Sequence, residues 1–168
     1  MQEPPPERSG FWPFVMPIAE HRLGWLAGVI DGEGSIVVYT SKSGRNSCTA
    51  RYEVTVGNTD ERLVRAVSVI FAEIGVAHTI KLQHRRHPHR PCWYVTCSGG
   101  KGVEKVLSAM RSYLISKQAR ADLVLGMIQH RRSGGKGNQH FANAVDGDAW
   151  FLGQMAQFKE LNKRGVPA

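Results

Sequence analysis

The chain has 168 residues, with 22 Lys and Arg against 14 Asp and Glu and a formal charge of +8 at pH 7. This length supports one hydrophobic core in one domain, and the positive excess points to a polyanionic partner, either nucleic acid or an anionic surface. No apolar run is long enough to span a bilayer, and three cysteines without CxxC spacing (Cys48, Cys92, Cys97) exclude a disulfide scaffold and point to a reducing, intracellular compartment.

Residues 1–17 begin with two glutamates and three prolines before Ser9. That is unlike a signal or transit peptide, and it predicts a flexible arm ahead of a domain over 18–164, with 165–168 as a tail. Trp25 to Ile30 is apolar on every side, with Gly24 and Gly28 one turn apart. The pattern predicts a helix buried on two faces, one of them close against another backbone. The helix then ends in acid. Asp31 and Glu33 stand where the helix dipole is negative, which is unfavourable unless a cation or a donor compensates them. A local rule broken in this way marks a functional site.

Ser35 to Ser41 and Ala50 to Val56 both alternate, and Ser43-Gly44-Arg45-Asn46 between them predicts a hairpin tip. Ile36, Val38, Tyr52, Val54 and Val56 then face the core, leaving Ser35, Val37, Tyr39, Ser41, Arg51, Glu53 and Thr55 on the other face. Asn58 or Thr59 is expected to cap a helix with the stripe Leu63, Val67, Ile70, Phe71 and Ile74, which Gly75 ends. A second strand pair, Thr79 to Arg85 and Cys92 to Cys97, is joined by the basic segment 84–91. Its outer face carries Thr79, Lys81, Gln83, Arg85, Tyr94 and Thr96, while Trp93, Val95 and Cys97 pack inward.

Two helices follow. One carries Val103, Val106, Leu107 and Met110; the other is capped by Ser116 and runs through Leu123 to Ile128. The glycine-rich stretch Arg131 to Gly147 reads as a connection. A last helix after Asp148 turns Phe151, Met155 and Phe158 inward. His84, His87, His89 and Cys92 match no familiar zinc-finger spacing, and phosphate contacts explain this arginine-rich segment more simply. Gly99-Gly100-Lys101-Gly102 and Gly134-Gly135-Lys136-Gly137 lack the full GxxxxGK[ST] pattern, which argues against ATP.

The run Leu26-Ala27-Gly28-Val29-Ile30-Asp31-Gly32-Glu33-Gly34 resembles the LAGLIDADG motif of homing endonucleases. Val29 replaces a leucine, Gly32 an alanine and Glu33 the second aspartate. The resemblance extends over roughly His21 to Asn162, and it implies an α+β, αββαββα fold whose curved antiparallel four-stranded sheet lies on DNA. A single motif copy implies a symmetric homodimer through the motif helices, with Gly24, Ala27, Gly28 and Asp31 at the interface. It also implies a Mg²⁺ site, open to Mn²⁺ or Ca²⁺, held by the Glu33 carboxylate and the Gly32 carbonyl. Asp31 is assigned to bonding backbone donors near the helix ends.

The same resemblance places Lys117, in Tyr-Leu-Ile-Ser-Lys-Gln at the opening of a helix, where the family has a catalytic lysine. A cation there opposes the helix dipole unless an anion such as phosphate lies nearby. Asn58 aligns with a polar residue of the active-site periphery, although it is equally a helix cap, and Arg62 aligns with a basic residue lining the site. The expected DNA contacts are Tyr39, Ser41, Arg51, Glu53, Thr55, Lys81, Gln83, Arg85, Tyr94 and Thr96 on the strands, with Arg86 and Arg90 at the tip. The expected activity is site-specific, Mg²⁺-dependent cleavage of double-stranded DNA at a long, nearly palindromic site by an intron-encoded enzyme. The competing reading from another class is a binding protein of the same fold without cleavage, either an RNA-splicing maturase or a transcriptional regulator.

Overall fold

The structure is a computed structural model that describes residues 18–42, 48–84, 90–133 and 148–163. The arm over 1–17, the hairpin tip at 43–47, Arg85, Arg86, His87 and His89, the glycine-rich stretch 134–147 and the tail all lie outside them. Helix α1 (Glu20–Glu33) passes directly into strand β1 (Gly34–Lys42), so the motif forms the junction between them. Next come β2 (Cys48–Asn58), α2 (Glu61–Ile74), β3 (Thr79–Gln83), β4 (Cys92–Ser98) and α3 (Gly100–Met110). A short 3₁₀ turn (Arg111–Tyr113) leads to α4 (Gln118–Ser133), and α5 (Ala149–Leu161) is the last described helix.

The strands form one antiparallel sheet in the order β1-β2-β4-β3. Because side chains alternate across a strand, a single register decides which face is dry. Gly34 lies opposite Val56, and Val54 opposite Cys97. Ile36, Val38, Tyr52, Val54, Val56, Val95 and Cys97 are all buried beneath the helices, as their alternation predicts. From α2 this core receives Val64, Val67, Ile70 and Phe71, and from α3 it receives Val103, Val106, Leu107 and Met110. Phe151, Met155 and Phe158 of α5 are buried as well. Leu63 and Ile74, expected in the α2 stripe, are only half-buried and pack at its margin.

The ends of α2 show which local signals decide. Asp60, not Asn58 or Thr59, is the N-cap: its carboxylate accepts the Arg62 N–H at 2.9 Å. Asn58 still belongs to β2, and its side-chain oxygen accepts the Asp60 N–H at 2.9 Å, turning the chain from strand to helix. At the other end Gly75, at φ +75°, adopts the left-handed cap that lets Gly75 and Val76 donate to Ala72 and Phe71. Two further boundaries differ from expectation. Helix α4 continues through Arg131 to Ser133, and strand β3 stops at Gln83.

Gly34 closes the motif for a steric reason. A Cβ added there would stand 2.7 Å from the Ile30 Cα and 2.9 Å from its carbonyl oxygen, both backbone atoms that cannot swing away. Gly34→Ala is therefore expected to destabilise the fold by about 1–3 kcal/mol in urea unfolding, the usual range for overpacking. A loss below about 0.5 kcal/mol, the scale of an ordinary surface change, would show that the helix end yields.

Candidate active site

The acidic end of α1 is compensated in the way its position demands. Asp31 Oδ2 accepts the Ile115 N–H at 2.6 Å and the Ser116 N–H at 3.3 Å; Oδ1 accepts the Lys117 N–H at 2.9 Å and the Ser116 hydroxyl at 3.0 Å. Burial alone would raise its pKa, but these four bonds outweigh it and hold the carboxyl below the usual range. Lys117 Nζ reaches back to donate to the Ile30 and Asp31 carbonyls, both at 2.6 Å. The ammonium thus caps the negative end of α1. Burial lowers the Lys117 pKa; Asp31 and Glu33 act upward on it, and Arg120 downward.

Glu33 is exposed at the last turn of α1 and takes no hydrogen bond or ion pair from the described residues. Its carboxylate lies close enough for Lys117 to sense its charge. Ser116 is not a helix cap, because its hydroxyl is directed to Asp31; Lys117 stands immediately before α4 and its carbonyl accepts the Ala121 N–H. The sheet register carries Asn58 two residues past the partner of Gly34, at the same end as the motif junction. Arg62 is held in a forked pair with Asp60, its Nη2 2.7 Å from Oδ2, and its side chain is 91% exposed.

The residues expected at an interface separate. Gly28 and Gly32 are exposed and would place a Cβ into open space, whereas a Cβ on Gly24 would meet the Tyr113 ring at 3.8 Å. Ala27 is fully enclosed in the chain's own core and so is not presented to a second copy, whereas Asp31 is half-buried with both carboxylate oxygens bonded within its own chain. The open stripe of α1 is His21, Trp25, Gly28 and Gly32, one helical turn after another.

On the outer face of the sheet, Tyr39, Arg51, Lys81 and Gln83 are exposed, while Ser41, Glu53, Thr55, Tyr94 and Thr96 are half-buried. Cross-strand bonds order this surface: Tyr39 donates to Glu53 at 2.9 Å, Arg51 to Ser41 at 3.1 Å and Thr55 to Thr96 at 3.1 Å. The bond to Glu53 raises the Tyr39 pKa. Arg90 is exposed just before β4. His84 is exposed and Cys92 is buried, with its thiol donating to the Trp93 carbonyl, so this pair presents no shared metal site.

A sequence profile of the LAGLIDADG-like domain matches residues 20–110, more than half of the chain. The chain belongs to the LAGLIDADG family. No curated protein sequence matches it. Among solved structures it is similar to the homing endonuclease I-CvuI in complex with the I-CreI target, at 17% identity and a TM-score of 0.53, covering 86% of this chain and 96% of that one. The archaeal intron-encoded homing endonuclease I-Vdi141I complexed with DNA matches at 12% identity and a TM-score of 0.62, covering 88% and 87%. The DNA-bound meganuclease I-SmaMI matches at 17% and 0.62; this chain spans 86% of its own length but 45% of that protein. These likenesses establish the fold.

The LAGLIDADG junction carries one free carboxylate, Glu33, and the described residues hold no cluster of three or more His, Cys, Asp or Glu side chains able to enclose an ion. A lone exposed carboxylate with a nearby main-chain oxygen does suit a hydrated, oxygen-seeking cation such as Mg²⁺, which keeps several waters and shares substrate phosphates. Ser116 and Asp60 are contacts around the candidate site that local pattern conceals. Ser116 acts across 85 residues of sequence, and Asp60 was masked by two other cap-forming residues just before it.

Proposed function

We propose that this LAGLIDADG protein is a Mg²⁺-dependent, site-specific DNA endonuclease that acts as a homodimer and leaves a staggered double-strand break. One observation carries the reading: an unpaired Glu33 carboxylate stands at the end of a helix whose adjoining stripe, Gly28 and Gly32, is bare of side chains. Two such helices pack closely only where both are bare, and a twofold axis between them brings two Glu33 side chains together. Trp25 and Val69, both exposed, line a groove of about 550 Å³ beside that stripe and supply apolar surface for the same contact.

In this reading Glu33 and the Gly32 carbonyl hold the divalent ion, which when bound polarises the scissile phosphate and offsets charge on the attacking and leaving oxygens. Two of the three Lys117 N–H groups are bonded to helix carbonyls, so the third is left to face the phosphate. Asn58 and Arg62 line the approach to the same sheet end. The outer face of the sheet lies in the major groove, where Lys81, Gln83 and the cross-strand polar pairs read base edges and Arg51 and Arg90 supply positive charge.

Selecting cleavable sites from a randomised duplex library in Mg²⁺ tests the proposal. A long, nearly palindromic consensus is expected, whereas tight binding without cleavage would favour the maturase or regulator reading. Two chains carry twice the formal +8, so affinity should fall steeply with salt, by a log–log slope of about 0.9 per phosphate contact. Arg90→Ala should lower that slope by about one and weaken all sequences alike. Gln83→Ala or Lys81→Ala should relax preference at particular base pairs in both half-sites, at about 1–3 kcal/mol per contact. An unchanged site profile in both strand variants would show that the sheet does not read sequence.

A further inference from the structure

With Glu33 as the carboxylate that holds the ion, Asp31 has no chemical task, and a carboxylate at a helix C-terminus does not help the helix itself. Its bonds supply the reason for it. Both oxygens are filled by four donors from residues 115–117, at 2.6 to 3.3 Å, across 84 to 86 residues of sequence. A carboxylate offers about four lone-pair directions, so Asp31 has none left for a metal ion. In the opposite direction Lys117 Nζ donates to the Ile30 and Asp31 carbonyls. The two stretches therefore clasp each other, and each holds the group that the other needs.

We propose that Asp31 is a positioning residue for DNA cleavage: by tying the 115–117 backbone to the motif helix, it fixes the direction in which Lys117 presents its remaining N–H beside Glu33. This inference rests on the endonuclease reading above. A lysine on a flexible four-carbon stem samples many directions. Here the backbone nitrogen of Lys117 is pinned by Asp31 and two of its three ammonium donors are committed, which leaves one direction for the third. Asn cannot replace Asp31 fully in this task, because its amide nitrogen would face at least one backbone N–H donor: Lys117 at the Oδ1 position, or Ile115 and Ser116 at the Oδ2 position. The half-buried Lys117 side chain also lies next to the negative end of α1, where Glu33 stands.

A residue that acts only through Lys117 should add nothing once Lys117 is gone. The experiment compares single-turnover cutting and DNA affinity for the full-length protein, Asp31→Asn, Lys117→Met and the double variant on one selected duplex in Mg²⁺. Asp31→Asn and Lys117→Met should each slow cutting by about a hundredfold, the scale of losing one oriented donor. Affinity should stay within about threefold, since neither residue lies on the sheet that reads DNA, and the double variant should cut no more slowly than Lys117→Met. Ser116→Ala, which removes one of the four donors, should slow cutting by a smaller factor in the native background and not at all beside Lys117→Met. If circular dichroism shows that Asp31→Asn does not fold, this pair decides alone. Multiplicative losses in the decisive double variant overturn the inference and leave the endonuclease reading standing. Absence of cutting by the native chain on every selected duplex overturns both.

Discussion

Glu33→Gln is expected to abolish DNA cleavage while leaving DNA affinity nearly unchanged. The substitution keeps the size and removes the charge of the one carboxylate at the motif junction that no neighbour among the described residues engages. In the proposed enzyme, neutralising it removes the ligand that anchors the ion against the phosphate, and a loss of about 4 kcal/mol of transition-state stabilisation corresponds to about a thousandfold in rate. Binding should survive, because contact with DNA is assigned to the sheet face, on strands that Glu33 precedes. Single-turnover cleavage and a filter-binding titration separate the two. Cutting within tenfold of the native rate would remove Glu33 from the chemistry.

Gly28→Leu is expected to break the dimer and the activity together. In the single chain a side chain at position 28 meets nothing within 4 Å, so the folded protomer should tolerate Leu apart from its apolar exposure. In a symmetric pair the substitution enters twice at one contact. Overpacking of about 1–3 kcal/mol per site then weakens association by at least about 2 kcal/mol, or about thirtyfold. Sedimentation should show a monomer with a native thermal transition, and cleavage should fall with the dimer fraction. A Gly28→Leu protein that stays dimeric and active would move the interface away from this stripe. Ala27 offers a contrast: as a fully enclosed residue it should report on folding rather than on assembly.

Periodicity made most of the fold legible. The alternation of Ile36, Val38, Tyr52, Val54 and Val56, and the helical spacing of Val67, Ile70 and Phe71, each follow from a single local period that burial then obeys. The acidic end of α1 was legible as an anomaly, since carboxylates at a helix C-terminus require compensation. What supplied it was not legible, because Lys117 and the 115–117 amides arrive from more than 80 residues away. The α2 cap is ambiguous in sequence for a local reason: Asn58, Thr59 and Asp60 are all good caps, and only the strand's length shows that Asn58 still belongs to β2. Helix α4 ran past its expected end because Arg131 to Ser133 carries no apolar period, while ion pairing between Arg132 and Glu104 of α3 supports that last turn. The bare stripe of α1 required structure too, since sequence pairs Gly24 with Gly28, whereas packing against Tyr113 leaves Gly28 and Gly32 as the bare pair.

In the proposed dimer, two Glu33 carboxylates related by a twofold axis between LAGLIDADG helices each hold the ion for one of the two strand cuts at a single DNA site. Strand-resolved mapping of the product ends on a selected duplex, in Mg²⁺ and in EDTA, tests it most directly. Two symmetry-related cuts are expected, one on each strand and offset by a short stagger, that appear with Mg²⁺ and vanish with EDTA or with Glu33→Gln. Cleavage confined to one strand, or cuts that persist in EDTA, would contradict it.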